Sequence, residues 1–170
     1  MNSRFSSGFT CSLIVLRFVL AAWIGAAVLY VVTSIAEQVF PEFDGRIRDQ
    51  LATIRFPLYY RFGFACHLAA ATAGLIVWRL APESRRRTFL IVLLLILLSG
   101  IGILVDYRWV YTPLQNLIIP PGQPHTAEFE VLHQRSMHIN EAHLMCIAFA
   151  GILSMLPVGQ PTEKSSDSES

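Results

Sequence analysis

Charge is scarce in this chain. Asp, Glu, Lys and Arg make up 15% of its 170 residues, against about 25% in an ordinary soluble domain. Hydrophobic residues reach 54%, so a typical water-soluble domain is excluded and a membrane protein is indicated. Cysteine is scarce too. Cys11, Cys66 and Cys146 share no close spacing, which argues against a disulfide framework and leaves them as small buried hydrophobes. The net charge is +1, with arginines scattered over several loops, so no basic face offers itself to nucleic acid. The chain also lacks a nucleophile elbow, a His-Glu-x-x-His, a phosphate-cradling glycine loop and a cysteine pair. The expectation is therefore that it is not an enzyme.

What it has in quantity is long apolar runs. A membrane-spanning helix needs about 20 mostly apolar residues, and four stretches qualify: 13–35, 57–80, 88–105 and 137–156. These predict an all-α, antiparallel four-helix bundle integral to the membrane, one domain over 13–156, with the lipid bilayer as its surroundings. Residues 1–12 are expected to be a short N-terminus, and the Ser-rich stretch 157–170 a disordered tail. The first run is too long for a signal peptide and no small-x-small site closes it, so it is read as an uncleaved span. The short turn Arg79 to Arg87 is dense in arginine. By the positive-inside rule it lies in the cytoplasm together with both termini, the protein being set in the cell inner membrane. Outside the spans, Ile47, Leu51 and Ile54 recur at helical spacing among charges, which predicts a short surface helix over Arg46 to Ile54. Phe56-Pro57 then opens the second span, and Thr112 to Ala127 reads as a Pro-rich loop.

The polar residues inside these apolar runs are the functional pointers, because ionisable groups at membrane depth are costly unless they face a bundle interior. At about 100° per residue, His133, Ser136, Asn140 and His143 fall within an arc of roughly 80°. Glu37 ends the first span, Tyr60 and Arg61 lie near the start of the second, and Asp106 ends the third. All these polar ends belong to one side of the bundle. The predicted site is thus a polar cluster of Glu37, Tyr60, Arg61, Asp106, His133, Ser136 and Asn140, suited to proton relay, to binding a polar solute, or simply to mutual hydrogen bonding. A second reading takes His67 and His143, expected at similar depths on two helices, as ligands of a haem iron or a copper ion. One four-helix bundle encloses little volume, so a solute path would call for a homo-oligomer. The surface helix and the Pro-rich loop are the alternative, as docking surfaces for a protein partner.

Gln50-Leu51 followed by Phe56-Pro57-x-Tyr59-Tyr60-x-x-Gly63, then Phe129-x-x-Leu132-His133-x-x-Ser136-x-x-x-Asn140, is similar to the four-helix membrane family called domain of unknown function 4149, which includes the transmembrane protein 205-like proteins; Trp23-x-Gly25 fits as well. The resemblance runs from about Trp23 to Leu156. It implies a four-span integral membrane protein with no assigned reaction, and it carries over Phe56, Pro57, Tyr60, His133, Ser136 and Asn140. His67, His138 and His143 lie outside the pattern, so a metal or haem site on them would be particular to this chain or a close subgroup.

Overall fold

The computed structural model describes residues 6–157, and among them the chain is helical with no strand. The tail expected from residue 157 lies, from 158 onward, outside the described residues, as does the start of the N-terminus. Helix α1 spans Ser7–Val39, α2 Gly45–Leu80, α3 Glu83–Val105 and α5 Ala127–Met155. Between α3 and α5 a π-helical segment, Asp106–Tyr111, runs into the short α4, Thr112–Leu117. Side chains that accept backbone N–H bonds fix three of the starts. Ser6 takes the N–H of Phe9 at 3.2 Å, Asp44 that of Ile47 at 2.8 Å, and Thr126 that of Phe129 at 3.2 Å.

Helix α2 corrects the sequence reading. No separate surface helix covers residues 46–54; α2 is one helix of 36 residues with Pro57 in its interior. Pro57 lacks an N–H and strips the Thr53 carbonyl of its helical donor, yet α2 continues through it. At 1.5 Å per residue the helix is about 54 Å long, well beyond the roughly 30 Å of a hydrocarbon layer. Its first turns therefore extend past the apolar part of the molecule.

The third rod is longer than expected as well. Where α3 ends, the wider i→i+5 turn of the π segment places Asp106, Val110 and Tyr111 all in the buried interior. The Thr112 hydroxyl donates to the Tyr107 carbonyl at 2.7 Å, and the loop begins only after Leu117.

Helix α1 packs on α2 and α5, and α3 packs on α2 and α5, so four rods close in cyclic order around one core. One half of that core is aliphatic: Leu13, Leu16, Leu20, Ala70, Ala73, Val77, Val92, Ile96 and Ala150. The other half holds Trp23, Tyr60 and Tyr111 with buried polar groups at His67, Ser99, Asp106, Ser136 and His143. Large apolar side chains such as Phe18, Leu29, Leu68, Leu94 and Ile152 face outward, as they do where the solvent is lipid. Three rods, Ser7–Val39, Gly45–Leu80 and Glu83–Leu117, are long and apolar enough to cross a membrane. Helix α5 is not among them. Glu128, Glu130, Arg135 and Glu141 lie in its first half, and its continuously apolar run is only Leu144 to Leu153.

Candidate functional site

Asp106, at the start of the π segment, is fully buried. Its Oδ2 accepts three bonds: from the Tyr60 hydroxyl of α2 at 2.5 Å, and from the Ser136 hydroxyl and Asn140 Nδ2 of α5 at 3.1 and 2.9 Å. Its Oδ1 has no partner, and among the described residues no Arg, Lys or His pairs with the carboxyl. Helix geometry makes this convergence possible. Ser136 and Asn140 stand four apart on one face of α5, and Tyr60 reaches across from α2.

From Asp106 the bonding continues inward. With its Nδ2 committed to Asp106 and to the Ser136 carbonyl at 2.9 Å, Asn140 turns Oδ1 toward the Tyr59 hydroxyl at 3.2 Å and His143 Nε2 at 3.0 Å. An amide oxygen only accepts, so His143 Nε2 carries a hydrogen and Nδ1 is left as an acceptor. That Nδ1 faces Ser99 Oγ at 3.4 Å, and the same oxygen meets His67 Nε2 at 2.9 Å and the His143 carbonyl at 3.0 Å. His67 Nδ1 donates to the Gly63 carbonyl at 2.8 Å. With both imidazoles neutral, the single hydroxyl hydrogen of Ser99 serves three acceptors. The Ser99 junction therefore has a place for one more proton or a small cation.

The surroundings of this chain are dry and close-packed. Trp23 stacks on His143 with ring centroids 6.2 Å apart and meets His67 edge-on at 5.6 Å. The gap between Trp23, Cys66, His67 and Ala70 has no space for a water molecule. Gly63 permits the approach: a Cβ there would lie 2.6 Å from Ile103 Cδ1 and 2.7 Å from the Trp23 ring.

The structure thus brings together Tyr60, Asp106, Ser136 and Asn140 of the expected cluster and links them to His67 and His143, whose rings lie 6.1 Å apart. The other three residues stand elsewhere. Glu37 pairs with Arg55 at 2.6 Å, Arg61 is exposed, and His133 is half-buried and stacks on Phe129 with a 10° tilt between the rings. Among the described residues no group of three or more His, Cys, Asp or Glu gathers as a metal site.

Two arrangements escaped the sequence reading. Buried Asp49 accepts the Gly122 N–H at 2.8 Å and faces His125 Nε2 at 3.3 Å, pinning the Pro-rich loop to the first turns of α2. Gly122 has a φ of +90°, a conformation natural to glycine. Arg17 donates to the Ser154 carbonyl at 3.0 and 2.5 Å, where the last turn of α5 leaves carbonyls without helical donors.

Among the described residues the molecule is accordingly all-helical, with three helices long and apolar enough to cross a membrane and a buried carboxyl at the head of a polar chain. No protein-family model, no curated protein and no solved structure matches the chain.

Proposed function

We propose that the protein is an integral membrane protein of four antiparallel spans, set in the inner membrane with both termini in the cytoplasm, and that it belongs with the domain of unknown function 4149 proteins. In this reading α5 is the fourth span, with Ser136 and His143 buried in the bundle while Glu128, Glu130, Arg135 and Glu141 of its first half stay exposed. The function is proton-linked movement of a small solute, with Asp106 as the carboxyl that is loaded and emptied. One observation carries it: a fully buried carboxyl holds three neutral donors on one oxygen, while its other oxygen has no partner and, among the described residues, no cation pairs with it. An uncompensated charge in such a place is expensive, so Asp106 is built to take a positive occupant. Asn140 passes on a hydrogen bond but not a proton, so the exchange happens at Asp106 itself and the inner histidines respond by reorienting Ser99. The close packing leaves the solute path to an interface between copies of the chain.

The test is decay of an imposed pH step across liposomes holding the purified protein, followed with a trapped pH dye. Wild-type protein is expected to speed the decay and Asp106→Asn, which keeps the size of the side chain, to abolish the effect. Equal decay for the two would overturn the assignment.

A second reading, a metal ion between His67 and His143, is favoured by the convergence of His67 Nε2 and His143 Nδ1 on one hydroxyl. Elemental analysis and an oxidised-minus-reduced absorption spectrum of the purified protein decide it. Stoichiometric copper or a Soret band, lost in His67→Ala, supports it, and a colourless, metal-free, folded sample sinks it.

A further inference from the structure

At the opposite end of the molecule from Asp106, the turn between α2 and α3 carries Arg79, Arg85, Arg86 and Arg87 within nine positions. Trp78, in the last turn of α2, stands beside them. The Arg79 guanidinium lies 5.4 Å from one ring centroid of this residue and that of Arg86 lies 5.5 Å away, so two cations are held against one indole. Beside them opens a groove of about 320 Å³ lined by Trp78, Glu83, Arg86, Arg87 and Leu90. Arg85 is turned away, donating to the Pro157 carbonyl. The groove therefore has a cationic mouth with one carboxylate, Glu83, and an apolar wall at Leu90.

We propose that this groove binds the headgroup of an anionic phospholipid, phosphatidylglycerol being the type, with an acyl chain running over Leu90. The proposal rests on the membrane reading given above. Charge complementarity selects the occupant: two guanidiniums at the mouth suit a phosphodiester, which planar Arg forks bind in bidentate fashion. The indole adds an interfacial anchor, since tryptophan favours the headgroup level. Glu83 disfavours a second negative charge, so a singly charged headgroup fits better than a free phosphate dianion. The same feature separates this groove from the rest of the outer surface, where exposed leucines and isoleucines meet acyl chains with no headgroup preference.

The experiment uses the full chain in phosphatidylcholine vesicles that contain a small fraction of acyl-brominated lipid, and reads the quenching of Trp78 as the fluorescence lost on Trp78→Phe substitution. Brominated phosphatidylglycerol is expected to quench Trp78 more strongly than brominated phosphatidylcholine at equal fraction. At roughly fivefold per arginine, the preference should fall on the order of 30-fold in Arg86→Gln/Arg87→Gln and survive in Arg108→Gln. Inorganic phosphate added in excess should leave it unchanged. Equal quenching by both lipids overturns the proposal. Loss of the preference on adding phosphate overturns it in favour of a free-anion site. A preference that emerges only on deleting residues 158–170, which carry Glu163, Asp167 and Glu169, overturns it in favour of that acidic stretch as the occupant. Quenching of no tryptophan by either lipid overturns the membrane reading itself, and so separates the two failures.

Discussion

The two halves of the core are held by different forces. Around Leu16, Val77, Val92 and Ile96, all buried to within 1%, contact is made by aliphatic side chains, so that in the membrane setting proposed above helix association there relies on dispersion and fit. Around Asp106 the same helices are joined by hydrogen bonds that have no substitute in an apolar solvent. The first half tolerates exchange of one hydrocarbon for another of similar volume. The second specifies which atoms meet, and the unpartnered Asp106 Oδ1 is where chemistry can enter.

The largest expected difference comes from removing the acceptor on which the polar half converges. Asp106→Leu orphans the Tyr60, Ser136 and Asn140 donors; at about 1 kcal/mol or more for each buried orphan, the loss is about 3 kcal/mol. Ile96→Val, one methylene taken from the aliphatic half, should cost about 1 kcal/mol. Reversible unfolding in mixed micelles compares them, and equal losses would show that the carboxyl has no special place in holding the bundle.

Two glycines put the same question to packing. At Gly63 an added Cβ would sit 2.6 Å from Ile103 Cδ1, so Gly63→Ala forces Trp23 and Ile103 apart and should cost about 2 kcal/mol. At Gly74, in the aliphatic half, the nearest atoms are Ile96 Cδ1 and Leu93 Cδ1 at 3.5 Å, an ordinary contact. Gly74→Ala should be neutral or stabilising by up to about 1 kcal/mol, since alanine favours the helix. Opposite signs in the same unfolding assay are expected, and a loss at both positions would mean that the aliphatic half is packed as tightly as the polar one.

A smaller effect is expected at the junction of the two histidines. Ser99→Ala removes the hydroxyl that meets His67 Nε2 and the His143 carbonyl, while leaving both rings packed against Trp23. Interhelical hydrogen bonds in membranes average roughly 0.6 kcal/mol, so a stability loss of about 1 kcal/mol should accompany the change. Histidine NMR signals of His67 and His143 should move in this variant while those of His125 stay. Unmoved signals at all three would remove Ser99 from the chain.

Much of this was legible from helix arithmetic, and the failures have physical causes. Spacing alone places Ser136, Asn140 and His143 on one face of α5 and Asp106 at the outer end of the third rod. It predicts a face but not a depth, which is why His133, one turn nearer the start of the helix, falls in the predicted cluster with residues it does not meet and instead lies flat on Phe129. Arg61 enters the predicted cluster beside Tyr60, but one residue is about 100° of turn, and Arg61 is exposed where Tyr60 is buried. Asp49 escapes the sequence reading because Phe56-Pro57 reads as a helix start. Because α2 runs back through Pro57, Asp49 lies on the stripe of Tyr60, Gly63 and His67, eleven residues or about three turns before Tyr60. The π turn leaves no trace in the periodicity, and only the close run of buried Asp106, Val110 and Tyr111 reveals it.

The smallest effect bears on where the polar half ends. Glu37 and Arg55 form a two-bond pair at 2.6 Å, with side chains 21% and 24% exposed, so solvent screens them and the pair should contribute only about 0.5 kcal/mol. If Glu37 belonged to the Asp106 centre, its removal would alter the electrostatics that Asp106 feels, and the two changes would not add. With Arg55 already satisfying Glu37, and Tyr60 and Asn140 satisfying one oxygen of Asp106, the two groups share no partner. The losses measured for Glu37→Gln and Asp106→Asn should therefore sum in the double variant to within about 0.5 kcal/mol. A larger coupling would extend the centre outward to the end of α1 and give the unpartnered oxygen of Asp106 a route to the surface through Glu37.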